Sequence, residues 1–399
     1  MKNALHQLSE LGQSVWLDNI NRSLIADGRL KKLIRRGLRG LTSNPSIFHQ
    51  AISGSQDYDA AIAALGAEGK SPFEIYDALT VRDIRDAADL FRPVYRASRG
   101  LDGYVSLEID PRLAFDAKNT VGEGKRLWAA VDRPNLMLKV PATREGFPAV
   151  EELLGAGINV NVTLIFSLEQ YNKTIRAYIQ GLRKRLFRKG DLSRLRSVAS
   201  VFVSRIDTAA DRRLNEEIAR TAEVERKKAL ADLRGRAAVA NSRLIYQRFL
   251  EAFGGHEFKK YEAQGANVQR VLWGSTGTKN PAYSDLKYVE ELIGDGTVNT
   301  MPEKTLAALL DHGKPQAVLS ANVKAEREAI RKLREYGISI ETVCAKLLHE
   351  GVAAFVDAFQ ALLQSIERKR EKLLKAAPPA AGRQRRKKRW GKKGKRSGR

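Results

Sequence analysis

The sequence predicts an α/β chain folded as a (β/α)8 TIM barrel. Three observations carry this. Short apolar segments alternate with amphipathic stretches, strand then helix, eight times over 399 residues. The segments are apolar throughout rather than alternating, as in parallel strands covered on both faces. No Gly-x-Gly-x-x-Gly turn follows the first segment, which weighs against a doubly wound open sheet, the structural alternative. Eight units in a chain of this length fit a closed barrel.

The units read in order. Residues 1–13 form an amphipathic lead-in, and Ser14-Val15-Trp16-Leu17-Asp18 is a strand ending in an aspartate. Residues 24–36 look helical and basic. The segment 38–45 runs as a strand into a turn that Pro45 fixes. Residues 57–99 are helical, with Ser71-Pro72-Phe73-Glu74 a helix start: Ser at the cap, Pro next, Glu third. The third strand lies in 103–110, and a helix covers about 117–131. The fourth strand holds Leu136-Met137-Leu138-Lys139-Val140. A short helix at about 146–154 leads to a fifth strand in 159–166. A helix from Ser167 precedes a sixth strand in 197–205, and long charged helices fill about 207–254. Strands at 270–276 and 297–301 complete the set, and helices close the chain over about 303–376.

Composition bounds the rest. No apolar run approaches the roughly 18 residues that span a membrane. The N-terminus lacks an apolar block with a small-residue cleavage site. The lone cysteine, Cys344, sits in a helical pattern as packing. These features suggest a cytoplasmic protein. The net charge is +24, and 11 of those charges lie in residues 383–399, which contain no acid. Residues 1–376 are read as the barrel domain and 377–399 as an appendage, with Ala377-Pro378-Pro379-Ala380-Ala381-Gly382 a linker and the rest a disordered basic tail. The tail is either a solvated extension or a weak polyanion contact, in which Arg/Lys runs grip phosphates and Trp390 stacks a base. The remainder is still basic, which suits an anionic substrate such as a sugar phosphate.

The candidate chemistry starts at Lys139, which interrupts an apolar run. Pointing inward, its ammonium would be desolvated, which favours the neutral amine, the nucleophile of Schiff-base chemistry. Pointing outward, it snorkels to solvent. Barrel catalytic groups collect at the C-terminal ends of strands. Those ends carry Asp18, Thr42 with Asn44, Glu108, Lys139, Thr163, Ser200 with Arg205, Ser275 and Asn299. Any one of them could be a satisfied core polar group or a helix cap. Acids, an amine, amides and hydroxyls at one mouth are the parts of carbonyl chemistry. The histidines are scattered away from cysteines and acids at ligand spacing, so neither a metal nor a cofactor is implied.

Blocks at seven strand ends resemble the transaldolase family, in its longer bacterial branch. They are Ser-Val-Trp-Leu-Asp at 14–18, Leu-Thr-Ser-Asn-Pro-Ser at 41–46, Val-Ser-Leu-Glu-Ile-Asp at 105–110 and Leu-Lys-Val-Pro-Ala-Thr at 138–143. Asn-Val-Thr-Leu-Ile-Phe-Ser at 161–167, Ser-Val-Phe-Val-Ser-Arg-Ile-Asp at 200–207 and Trp-Gly-Ser-Thr-Gly-Thr-Lys-Asn-Pro at 273–281 complete the match, over about 10–370. The resemblance implies a class I aldolase-like barrel that transfers a dihydroxyacetone unit from a ketose phosphate to an aldose phosphate. It implies Lys139 as the Schiff-base lysine and Asp18 as the acid/base at the C4 hydroxyl. Glu108 would work through a water with help from Thr163, and Asn44, Thr42 and Ser200 would hold the dihydroxyacetone unit. Arg205 and Ser275 would bind phosphate. Where much of the family carries a second phosphate-binding arginine, this sequence offers Lys279, a point charge rather than a fork. A simple aldolase that releases dihydroxyacetone would need the same lysine. Oligomeric state is not legible.

Overall fold

The computed structural model describes residues 3–319 and 323–376. The segment 377–399, expected as linker and basic tail, lies outside the described residues. Eight parallel strands close into a barrel in chain order. They are β1 (Gln13–Asp18), β2 (Gly40–Thr42), β3 (Tyr104–Glu108), β4 (Leu136–Pro141), β5 (Val160–Ile165), β6 (Ser197–Phe202), β7 (Arg270–Gly274) and β8 (Thr297–Met301). β1 pairs with both β2 and β8, so the expected barrel is closed and presents no sheet edge.

The pleat sorts each strand into two sets. One set fills the barrel interior: Trp16, Tyr104, Met137, Val198, Leu272 and Val298 form a core of their own. The alternate residues, such as Leu17, Val105, Leu138, Val162 and Val201, pack outward against the helices. β2 is short, and Gly40 accommodates the Trp16 indole, because a Cβ there would lie 2.5 Å from its Cε2. At the N-terminal end, Arg270 is buried between Ser14 Oγ (2.8 Å) and the Asp102 carboxylate (2.8 Å).

The helices follow the sequence signals. Ser71 caps the Pro72–Ala97 helix through a reciprocal box with Glu74. Ser167 does the same for Leu168–Phe187 with Gln170. The basic 24–36 region breaks into Arg22–Ala26 and Arg29–Arg35 at Gly28, whose φ of 82° no ordinary helix residue adopts. The seventh unit departs from the expected pattern. Between β7 and β8 the only helix is Lys287–Glu290, because residues 275–286 are rich in Gly, Pro, Asn, Ser and Thr and carry no apolar period. Cys344 is buried, and burial pushes its thiol up to about 12.

The last helix, Ile340–Ala376, packs on the Pro45–Ser53, Asp59–Ala67, Pro72–Ala97 and Ser204–Arg220 helices. It therefore crosses the C-terminal face of the barrel. Gly351 brings it down onto β5, where a Cβ would stand 3.0 Å from Leu164 Cδ2. Among the described residues no helix is long and apolar enough to cross a membrane.

Candidate active site

The C-terminal mouth holds a cavity of about 190 Å3. Its wall includes Asp18, Thr42, Asn44, Lys139, Thr163, Ser200, Arg205, Ser275 and Lys279. Glu108, also named from the sequence, stands beside Lys139. The register explains this: Glu108 on β3 is the partner of Lys139 on β4, so both side chains leave the same face of the sheet side by side.

Lys139 is buried, which settles the inward orientation over the snorkelling one. Its Nζ lies 2.7 Å from Glu108 Oε2 and donates to the Ser43 carbonyl at 2.8 Å. The Phe355 ring of the final helix covers it, with the centroid 5.7 Å from Nζ. Burial raises the Glu108 carboxyl above the usual carboxylate range, and the Lys139 charge pulls it back. Asp18 is raised by the same cause and lowered by Lys139 and by the Thr42 hydroxyl. Two acids thus share one amine, and each also feels the enclosure that disfavours its charge.

The surrounding polar groups have specific tasks. Thr42 Oγ1 donates to Asp18 Oδ1 at 2.7 Å and meets Thr300 Oγ1 at 2.7 Å. Asn44 caps the Pro45–Ser53 helix by accepting from the Ile47 N–H at 3.0 Å, while its amide lines the cavity. It is therefore both a cap and a site residue, since the cap uses Oδ1 only. Ser200 Oγ donates to Asn161 Oδ1 at 2.6 Å, and Asn161 Nδ2 in turn donates to Ser106 Oγ. Thr163 Oγ1 is buried on the cavity wall without a hydrogen-bond partner among the described residues. It precedes Leu164, which holds a left-handed φ of 56° where β5 shifts register against β6. Such strain is sustained only where the surroundings over-determine it.

The cationic end is built from β6 and β7. Arg205, in the first turn of the Ser204–Arg220 helix, lies over the Phe202 ring at 5.7 Å. Burial lowers its proton affinity, the Glu350 charge pulls it back, and no carboxylate stands at ion-pair distance from it among the described residues. Ser275 adopts φ 54°, which turns its hydroxyl to Ser204 Oγ at 3.0 Å. Lys279 is exposed on the same rim.

Asn299 does not join the mouth. Val298 and Thr300 face the barrel interior, so Asn299 points outward, where its Oδ1 accepts from Thr276 Oγ1 at 3.0 Å. Thr300 takes the place expected of it. The signal was strand parity: once Trp16 is inward, its register partner Thr300 is inward too. Sequence reasoning also missed Asn161, Ser43 and Phe355. A backbone carbonyl such as that of Ser43 leaves no trace in the residue type.

Comparison with known proteins agrees with this geometry. The family model described as transaldolase/fructose-6-phosphate aldolase matches residues 15–366. A transaldolase of Thiobacillus denitrificans is 48% identical over 365 residues, covering 91% of this chain and 99% of that protein. Transaldolase 2 of Streptomyces coelicolor is 47% identical over 378 residues, with 94% and 99% covered. A transaldolase of Trichodesmium erythraeum is 44% identical over 374 residues, with 93% and 98% covered.

Proposed function

The chain belongs to the transaldolase/fructose-6-phosphate aldolase family, and we propose that the mouth groups divide its reaction as follows. The activity is that of a transaldolase, a transferase of the non-oxidative pentose phosphate pathway. It moves a dihydroxyacetone unit from sedoheptulose 7-phosphate or fructose 6-phosphate to glyceraldehyde 3-phosphate or erythrose 4-phosphate through a lysine Schiff base.

Lys139 attacks the ketose C2 carbonyl once its amine is deprotonated, and Glu108, 2.7 Å away, is the group placed to take that proton. Glu108 returns a proton as the carbinolamine loses water, and Thr163 orients the water. Asp18 removes the C4 hydroxyl proton. The C3–C4 bond breaks, the aldose leaves, and the bonding pair passes into the iminium to give an enamine. The enamine attacks the incoming aldehyde, Asp18 gives its proton back to the new hydroxyl, and water hydrolyses the iminium. Asn44, Thr42 and Ser200 hold the dihydroxyacetone oxygens. Arg205, Ser275 and Lys279 hold the phosphate, whose binding energy orients the reacting carbon.

The observation that carries the reading is one buried lysine faced by two acids, with an unpaired arginine on the same cavity wall. The test is borohydride reduction in the presence of fructose 6-phosphate followed by peptide mapping. The adduct is expected on Lys139, and Lys139→Arg should fold and be inactive; an adduct on another lysine overturns the assignment. Adding erythrose 4-phosphate separates transfer from simple aldolase cleavage, since only transfer yields sedoheptulose 7-phosphate. A cytoplasmic setting suits these charged substrates. The basic composition of 383–399 supports a separate, salt-sensitive polyanion contact.

A further inference from the structure

At the opposite end of the barrel, five guanidinium groups gather on one cavity. Arg92, Arg96, Arg99, Arg185 and Arg194 line a concavity of about 640 Å3, built from the segments that lead into β3, β4, β5 and β6. None of the five is in an ion pair with a carboxylate among the described residues. Neighbouring arginines are: Arg133 pairs with Asp89 and Arg188 with Glu152. The single acid on the wall, Asp191, is occupied by the Ser193 N–H and hydroxyl at 2.8 and 2.7 Å.

The site is built rather than incidental. Arg185 lies across two glycines; a Cβ at Gly157 would stand 2.9 Å from its Cζ, and one at Gly190 2.4 Å. Arg92 Nε is shielded from solvent and has no hydrogen-bond partner among the described residues. Its guanidinium lies 5.8 Å from the Tyr95 ring, which is itself braced edge-on against Tyr104 at 5.5 Å. Trp128, half-buried, adds a second aromatic face.

Asp191 acts on Arg185 and Arg194, and Asp89 on Arg92, but the five guanidinium groups outnumber these carboxylates, so an excess of positive charge remains to be offset. An anion with spread negative charge offsets it, and guanidinium forks match phosphate oxygens bidentately. A monophosphate would leave most of the forks idle. The volume is within the range of nucleotide-sized ligands. The five groups line one concavity of about 640 Å3, a size that suits a compact anion over a polymer backbone. We propose that it binds a small anion bearing a chain of two or more phosphates, at a site distinct from the sugar-phosphate chemistry.

Inorganic triphosphate and a nucleoside triphosphate share that chemistry, and the test separates them. The full chain is titrated with inorganic triphosphate and with ATP, followed by calorimetry and tryptophan fluorescence. One ligand per chain is expected. Affinity should fall about tenfold or more in the exposed triple variant Arg96→Ser/Arg99→Ser/Arg194→Ser, with transaldolase turnover retained. Tighter ATP binding with a fluorescence change lost in Trp128→Phe identifies a nucleotide; equal affinities identify the phosphate chain alone. Unchanged affinity in the triple variant overturns the proposal, because the anion would then sit at the basic tail or the mouth. So does binding of a single-stranded oligonucleotide where neither triphosphate binds.

Discussion

Lys139 and its two acids form a three-charge problem that the fold solves by enclosure. In the proposed division of labour, Asp18 accepts a proton when the C4 hydroxyl is in reach, and Glu108 works next to the amine. Asp18→Ala should therefore stop carbon–carbon cleavage while a borohydride-trappable adduct with fructose 6-phosphate still forms. Equal loss of trapping and cleavage would count against that division. The electrostatics give a second expectation. The Lys139 charge holds both carboxyls down against burial. In Lys139→Met both should stay protonated to higher pH. A carboxyl raised on folding contributes stability that is present below its unfolded pKa and is lost as pH rises through the folded one. The variant should thus lose stability more steeply than the parent as pH rises above the ordinary carboxylate range, as urea unfolding at each pH would show. A parallel decline in the two proteins would refute the coupling. These residues were legible because each breaks an apolar run. Thr300 was not, because Asn299 beside it is just as polar and the sequence does not say which of the two faces inward.

The final helix does what no strand end can. Its Phe355 is buried, stands over Lys139 and lines the cavity. An enamine that meets water releases free dihydroxyacetone, so a transferase gains from an apolar cover at this point. Phe355→Ala is expected to raise the share of dihydroxyacetone released relative to sedoheptulose 7-phosphate formed. It should also destabilise the fold by about 3 kcal/mol, as large-to-small core changes do. Product partition by chromatography checks the first, and an unchanged ratio would leave Phe355 as packing alone. In the sequence this phenylalanine is one apolar residue among many on an amphipathic helix. The chain position of Ile340–Ala376 gives no hint that it lies over β5.

Across the whole molecule, buried acids tie distant segments together. Asp207 accepts from the Ala238 N–H at 2.7 Å and from the Tyr288 hydroxyl at 2.9 Å, joining the helix that carries Arg205 to the segments before β7 and β8. Asp211 does likewise with Gly235 and Tyr283. Burial raises Asp207 from its ordinary 3.8 to about 6. Its contribution to stability is therefore full below the ordinary value and is lost as pH rises through about 6. Asp207→Asn keeps the geometry without the titration. Relative to the parent it should gain on the order of 2–3 kcal/mol between about pH 4 and 7.5. Unfolding free energies that shift together across that range would show that Asp207 titrates alike in the folded and unfolded chain, its carboxyl unshifted by burial.

The sequence alone determined the strand-and-helix order, the closure into a barrel and the set of candidate reactive groups. Apolar period and capping chemistry act locally, and a lysine or acid inside an apolar run is conspicuous wherever it occurs. Only the tertiary structure decided which polar residue of each strand faces the mouth, that Glu108 lies beside Lys139, and that a helix more than 200 residues away supplies the cover. It likewise brought five arginines, from the Pro72–Ala97 and Leu168–Phe187 helices and the loops after them, onto one cavity. Register, pleat parity and the docking of remote segments are set by the packing of the closed barrel as a unit, and no local window of residues encodes them.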